Sequence, residues 1–281
     1  MAVTTAGVER TLLLPGWQIR MRAPDWMMEP LAAVLGGVGA IEPLPVVEVN
    51  VSGDGRQAEG VTQGRTLWTV PLPPDGWLAL LTGQIAATAA SLLRRLLYVH
   101  AGTVAFGDRA WIIMGASGAG KTSVVTRLVA GGARYLSDDI TLLNPAAATA
   151  IPFALPLAVK PWTARAAGVL PAGSEVARDE GTRFYLPAAT ARGPVPVEAF
   201  GVMRRDRRAS LVPLPRAELL MALAGQPSPL RDPQRLEEAF AGFARVIRGA
   251  RCYAVSGTPG EAAGLIAAAA GRTAGATTAG T

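Results

Sequence analysis

Residues 112–122 read IIMGASGAGKT, and no other stretch of the chain restricts its fold as much. An apolar run breaks without a spacer into three glycines, a lysine and a threonine. The spacing from Gly115 through Gly120, Lys121 and Thr122 is G-x-x-x-x-G-K-[ST], a phosphate loop that needs a strand before it and a helix after it. Glycines let such a loop turn its amides inward toward phosphate oxygens, and the helix that begins there aims its positive end at the same oxygens. The nucleotide-binding segment is therefore expected to be Gly115, Ala116, Ser117, Gly118, Ala119, Gly120, Lys121, Thr122 and Ser123. Lys121 would bridge the terminal phosphates of ATP, and the Thr122 hydroxyl would ligate Mg²⁺. Of 27 Lys and Arg residues only Lys121 and Lys160 are lysines, so a lysine here marks a ring too tight for the fork of an arginine.

The 281 residues, half of them hydrophobic, suffice for one generous domain or two small ones. The formal charge of +6 reflects a bias toward arginine. Without a basic stripe interleaved with aromatics it gives no nucleic-acid footprint. The one dense cluster, Arg204, Arg205, Arg207 and Arg208 around Asp206, reads as a solvated hairpin turn. The single cysteine, Cys252, cannot form an internal disulfide and reads as a buried strand residue in a reducing compartment. The N-terminal residues lack the pattern of a signal peptide. The longest apolar stretch, WLALLTGQIAATAASLL, is too short and too interrupted to span a bilayer. A cytoplasmic protein with no membrane or nucleic-acid partner is expected.

Residues 11–70 alternate strand-like runs (TLLLP, WQIRMRAP, VVEVNVS, TLWTVPL) with Gly, Pro and Asp, predicting a small antiparallel sheet. Residues 77–97 have helical spacing, with Arg94 and Arg95 in the last turn. LYVHAGTVAF and RAWIIMG are strands about a tight turn at Gly107 and Asp108, TSVVTRLVAGG is a helix, and ARYLSDDITLL is another strand. Beyond it, LPLAVKP and TRFYLP read as strands, while the intervening WTARAAGVLPAGSEVARDEG shows no period. VEAFGVMRR, ASLVPL and CYAVSG read as further strands, and RAELLMALAG, 232–247 and 260–270 as helices. The division expected is a β-rich region over 1–75, a catalytic domain over 76–271 and a disordered tail over 272–281.

Asp138 and Asp139, in YLSDDI, end a strand that begins about a dozen residues after the phosphate loop. That spacing predicts two neighbouring strands flanking one helix, with the acids close to Thr122. One carboxylate can hold Mg²⁺ and the other can accept a proton from an attacking hydroxyl. His100, the only histidine, taken alone reads as a satisfied structural group. Lys160 either reaches a phosphate or snorkels at a sheet edge. Arg183 and Arg165 are weaker candidates for a cation at the transferred phosphate.

The run HAGTVAFGDRAWIIMGASGAGKTSVVTRLVAGGARYLSDDITLL resembles the catalytic core of the HPr kinase/phosphorylase superfamily. There a His and a small-residue strand precede the phosphate loop, and a short helix leads to a strand ending in paired acids. The loop and acid pair are also similar to those of phosphoenolpyruvate carboxykinases. IPFALPLAVKPW, RFYLP and VPVEAFGVMRRD resemble shorter HPr-kinase-like proteins, including lasso peptide kinases that phosphorylate a precursor serine. The fold this implies is α/β, a P-loop kinase core with a mixed, phosphoenolpyruvate-carboxykinase-like sheet behind the small antiparallel N-terminal region. The resemblance implies Lys121 and the loop amides on ATP, Thr122 and Asp138 on Mg²⁺, Asp139 as general base and His100 as an auxiliary catalytic group. The roles of Asp138 and Asp139 can be exchanged. The Gly-rich signature after the core is not recognisable in 163–200, and residues 1–75 do not read as the family's regulatory domain. HPr as substrate, phosphorolysis and hexameric assembly are therefore not carried over, and a homo-oligomer is left open.

The function expected is an ATP- and Mg²⁺-dependent kinase acting on a serine-type hydroxyl of a peptide or small protein. The rival is a nucleotide-binding regulatory or assembly module with little transferase activity. The acid pair separates the two, because a switch needs one metal-organising acid whereas hydroxyl transfer also needs a base.

Overall fold

The computed structural model describes residues 8–14, 17–36, 46–93, 95–206, 208–224 and 233–278. In chain order its elements are β1 (Val8–Leu14), β2 (Trp17–Ala23), α1 (Asp25–Leu35), β3 (Val47–Val51), β4 (Gln57–Thr62), β5 (Arg65–Pro71), α2 (Trp77–Leu92), β6 (Leu97–Val99), β7 (Ala101–Phe106) and β8 (Arg109–Met114). Next come α3 (Lys121–Ala130), β9 (Arg134–Ser137), β10 (Thr141–Asn144), β11 (Thr149–Ile151), β12 (Leu157–Val159), α4 (Pro161–Ala167), β13 (Gly173–Asp179) and β14 (Thr182–Pro187). The chain continues through β15 (Val195–Met203), β16 (Ser210–Pro213), α5 (Arg216–Ala224), α6 (Pro233–Gly249), β17 (Arg251–Ser256) and α7 (Pro259–Thr278).

The result is a mixed α/β protein. Strand β8 lies between β7, antiparallel to it, and β15, parallel to it. Its side chains alternate between two apolar layers, as the period of a strand dictates. Ala110, Ile112 and Met114 join the layer with α5 and α6, while Trp111 and Ile113 join the layer with α3 and α7. With both faces covered, the strand reads as an unbroken apolar run. Its C-terminal end is consequently where the polar loop at Gly115 can begin.

The acid strand β9 is not the neighbour of β8 that the spacing predicts. β7 lies between them, paired antiparallel with both. The Gly107–Asp108 hairpin puts β7 on one edge of β8 and β15 occupies the other, so the strand after α3 pairs on the far side of β7. The Asp pair therefore reaches the loop across the end of the HAGT strand.

The N-terminal sheet runs β1-β2-β3-β4-β5 and is antiparallel except for β2 and β3, which are parallel on either side of α1. Helix α1 lies in a segment read as strands and loops. Met27, Met28, Leu31, Val34 and Leu35 are buried along it as a helical stripe, with Pro30 inside the helix. This sheet and α1 share one core with α2 and with Ile140, Leu142, Phe153, Leu155 and Phe184 from beyond α2.

Four other segments differ from expectation. Helix α2 ends at Leu92 because Leu93 turns extended, so Arg95 follows the helix, and Arg94 lies outside the described residues. The stretch without a period forms α4 and β13. The arginine cluster is no hairpin, since β16 pairs with β17 rather than β15, and Arg207 lies outside the described residues. Helix α7 runs through most of the expected disordered tail, because 271–278 contains no proline to stop it, and 279–281 lie outside the described residues. Cys252 is buried in β17, as its sequence context suggests. Among the described residues no helix is long and apolar enough to cross a membrane.

One polar contact pins α2 across the chain. The buried Asp179 carboxylate accepts a hydrogen bond of 2.9 Å from the Leu78 amide, in a first turn that has no side-chain cap of its own. Asp179→Ala is expected to lower the unfolding free energy by about 1–3 kcal/mol in urea titrations, since it leaves a buried donor unmatched.

Candidate functional site

Gly120 caps α3 in the left-handed region at φ 93°, where a side chain would be strained, and it offers no side-chain cap. The first amides of α3 are thus left without helical acceptors, pointing out of its N-terminus. Lys121 folds back over the loop and donates to Gly115 O at 2.9 Å and Ala116 O at 3.4 Å. Burial lowers its pKa, and Asp139 and then Asp138 oppose that shift. From the opposite side Arg205 Nη2 donates to Ser117 O at 3.2 Å. Three consecutive loop carbonyls are therefore held by two cations.

Asp138 is 6% exposed. Burial first, and the neighbouring Asp139 second, push its pKa up to about 8, while a hydrogen bond with the Thr122 side chain and the Lys121 charge pull the other way. Its Oδ1 has no hydrogen-bond partner among the described residues. Gly102 leaves room beside it, because a Cβ there would lie 3.2 Å from Asp138 Oδ1 and 2.5 Å from Val125 Cγ2.

Asp139 is exposed and sits at φ 64°, between Asp138 O and the Ile140 amide that donates to it at 2.8 Å. This is a tight three-residue turn, costly for most residues and tolerated by aspartate. His100 Nδ1 lies 2.9 Å from Asp139 O. A carbonyl only accepts, so Nδ1 carries the proton and His100 braces the strained turn. Beneath the turn, the Thr141 hydroxyl donates to Ala101 O at 2.9 Å. It lies 2.6 Å from Thr103 Oγ1 and 3.2 Å from Ser137 Oγ, and the three buried hydroxyls tie β7, β9 and β10 together.

These groups meet in one cavity of about 570 Å³. Its wall includes Ser117, Gly118, Gly120, Lys121, Thr122 and Ser123 of the loop, with Asp138, Asp139, His100 and Lys160. Gly115 packs instead against Met203 of β15, which a Cβ would approach to 2.9 Å. Lys160 precedes α4, with Nζ 5.2 Å from the Trp162 ring centroid. Arg183 is not brought to the cavity. Its neighbour Phe184 lines the wall, so the alternation of β14 turns Arg183 away, where Glu175 pairs with it at 3.7 Å. Arg165 is likewise absent from the wall.

Sequence reasoning missed Tyr98, whose pKa burial and then Asp139 push up to about 12. It also missed Gly102, Arg205 and Trp162. The tyrosine and the glycine stand within three residues of His100, the one signal that could have drawn attention to them.

The donor set suits Mg²⁺. A buried carboxylate with an orphaned oxygen beside a threonine hydroxyl is what an ion needs when phosphates and water supply its remaining ligands. No cluster of three or more His, Cys, Asp or Glu side chains that could hold an ion by itself occurs among the described residues.

No protein-family model and no curated protein matches the chain. Among solved structures it is similar to the Hpr(Ser) kinase/phosphatase from Coxiella burnetii, at 11% identity and a TM-score of 0.31, over 65% of this chain and 99% of that one. Likeness at that level leaves the site to be read from its own residues.

Asp138 has a sign-definite effect on stability. Its folded pKa, about 8, exceeds the 3.8 of an ordinary aspartate, so the folded chain holds this proton more tightly. In metal-free protein the stability that Asp138 contributes is therefore lost as pH rises from about 4 to about 8. Thermal scans are expected to show Asp138→Asn raising the Tm at pH 8 and leaving it unchanged near pH 4.

Proposed function

We propose that this protein is an ATP- and Mg²⁺-dependent kinase that transfers the γ-phosphate to a serine-type hydroxyl of a peptide or small protein. The observation that carries the reading is the buried Asp138 carboxylate, bonded to Thr122 yet with one oxygen lacking a partner among the described residues, in the same cavity as Lys121 and an exposed second carboxylate. A loop that only turned a strand into a helix would need none of these.

The amides of Gly120 to Ser123 and the Lys121 ammonium would take the phosphates, with Lys121 exchanging Gly115 O for phosphate oxygens. Thr122 and Asp138 would hold Mg²⁺, which when bound neutralises charge on the transferred group. Asp139 accepts the proton of the acceptor hydroxyl as the new O–P bond forms and the bond from the γ-phosphorus to the bridging oxygen breaks, releasing ADP. The fixed turn and the His100 brace hold Asp139 in position beforehand. His100 acts through Asp139 and is a positioning residue in this scheme. The exposed Asp139 suits proton acceptance and the buried Asp138 suits the ion, which favours the assignment of roles implied by the sequence resemblance.

The test is transfer of labelled γ-phosphate from ATP to serine peptides. Asp139→Asn is expected to cut transfer by about 10²–10⁴-fold, the range for loss of a general base, with ATP affinity within a few-fold of wild type. ATP binding without transfer to any acceptor, and indifference to Asp139→Asn, would favour a nucleotide-binding regulatory module.

A further inference from the structure

Phosphoryl transfer often recruits an arginine to the charge on the transferred group. Arg183 and Arg165, considered for that role on sequence grounds, do not reach the cavity. Another arginine touches the phosphate loop itself, since Arg205 Nη2 donates to Ser117 O at 3.2 Å. Its backbone is fixed on both sides. The Arg204 amide donates to Val255 O at 2.8 Å, and Asp206 O accepts from the Gly257 amide at 3.1 Å. Met203, two residues before Arg205, packs against Gly115 at the start of the loop. The Arg205 side chain is exposed and has no carboxylate partner among the described residues, whereas Arg204 beside it is paired with Glu218.

The carbonyl that Arg205 holds continues a row. Lys121 Nζ donates to Gly115 O and Ala116 O, and Arg205 takes the next one. Ser117 and Gly118 line the cavity that also contains Thr122, Asp138 and Asp139. The guanidinium therefore rests at the edge of the space where the transferred phosphate would lie. A neutral carbonyl engages one arm of its fork and leaves its charge unmatched, while phosphate oxygens would take paired, charge-assisted bonds from the same group.

We propose that Arg205 is a catalytic residue, which exchanges Ser117 O for oxygens of the transferred γ-phosphate and neutralises the charge they gain in the transition state. The inference rests on the kinase reading and adds to it a residue that has no role there. Arg205 neither gives nor takes a proton. Asp139 accepts the proton of the acceptor hydroxyl, the new O–P bond forms, and the bond from the γ-phosphorus to the bridging oxygen breaks to release ADP. Arg205 stands outside the cavity wall, so the exchange turns its exposed side chain inward while the anchored backbone stays in place.

The experiment compares wild type with Arg205→Ala, Arg205→Lys and Arg204→Ala. It measures labelled γ-phosphate transfer to serine peptides, ATP affinity, and affinity for ADP with Mg²⁺ and aluminium fluoride, where the fluoride stands in for the phosphoryl group in flight. Arg205→Ala is expected to lower kcat by about 10³-fold and to weaken the fluoride complex by about 10²-fold, with ATP affinity within a few-fold of wild type. Free guanidinium ion, below denaturing concentrations, is expected to restore its transfer about tenfold and to leave wild type unimproved. Arg205→Lys keeps a cation able to hold Ser117 O but lacks the fork, so it is expected to lose transfer at least tenfold. Arg204→Ala is expected to transfer as wild type does. Arg205→Ala or Arg205→Lys transferring as well as wild type overturns the proposal. So do equal losses in Arg204→Ala and Arg205→Ala, or equal weakening of ATP and the fluoride complex, which would make Arg205 a brace for the loop. Should wild type bind ATP and transfer to nothing, the kinase reading has failed and the fluoride complex judges Arg205. Weaker binding of that complex in Arg205→Ala, with ATP affinity kept, then supports its place at the γ-phosphate, and equal or absent binding overturns it.

Discussion

The arrangement turns on a carboxylate kept out of water without enough partners. Asp138 has the Thr122 side chain on one side and an orphaned oxygen on the other, with Asp139 as its chain neighbour. Burying a charge in that way is unfavourable unless the group is neutralised or a cation joins it. The fold nevertheless presses it inward, by placing β7 between β8 and β9 and by having glycine at position 102, where any side chain would collide with Val125. A cation joining the carboxylate would relieve that cost and so stabilise the fold.

Much of the remaining architecture holds that carboxylate beside the Gly115–Thr122 loop. The double-faced core around β8 fixes the start of the loop. The buried hydroxyls of Thr103, Ser137 and Thr141 fix the strand ends under the aspartates, and His100 holds the Asp139 carbonyl at the turn. The N-terminal region is part of the same construction. It shares a core with the rest of the chain, and α1 and α2 supply residues to the wall of the cavity. A boundary at residue 75 therefore divides the chain by composition but not by packing.

The parts of the site that were legible in the sequence are those whose chemistry is local. Gly115 to Thr122 are consecutive residues, so their spacing can be read directly, and the same holds for the Asp138–Asp139 pair; the structure brings most of them to one cavity. The order of the strands was not legible, because the pairing of β9 with β7 depends on which edge the hairpin had left free. Gly102 was silent for a related reason, since a glycine reveals its purpose only through what surrounds it, here Val125 and Asp138. Arg183 misled because periodicity shows that faces alternate, not which of them meets the cavity. Helix α1 was missed although its apolar spacing is helical, because it lies in a segment read as alternating strand-like runs.

The central claim is that Lys121, Thr122 and Asp138 form a site for nucleotide phosphates and their metal. A crystal structure with a non-hydrolysable ATP analogue and Mg²⁺ tests it most directly. The account predicts the triphosphate in the loop, Lys121 Nζ moved from Gly115 O to phosphate oxygens, and the ion between Thr122 and Asp138. A nucleotide bound elsewhere, or one in the loop with Lys121 still on Gly115 O and no ion at Asp138, would contradict it.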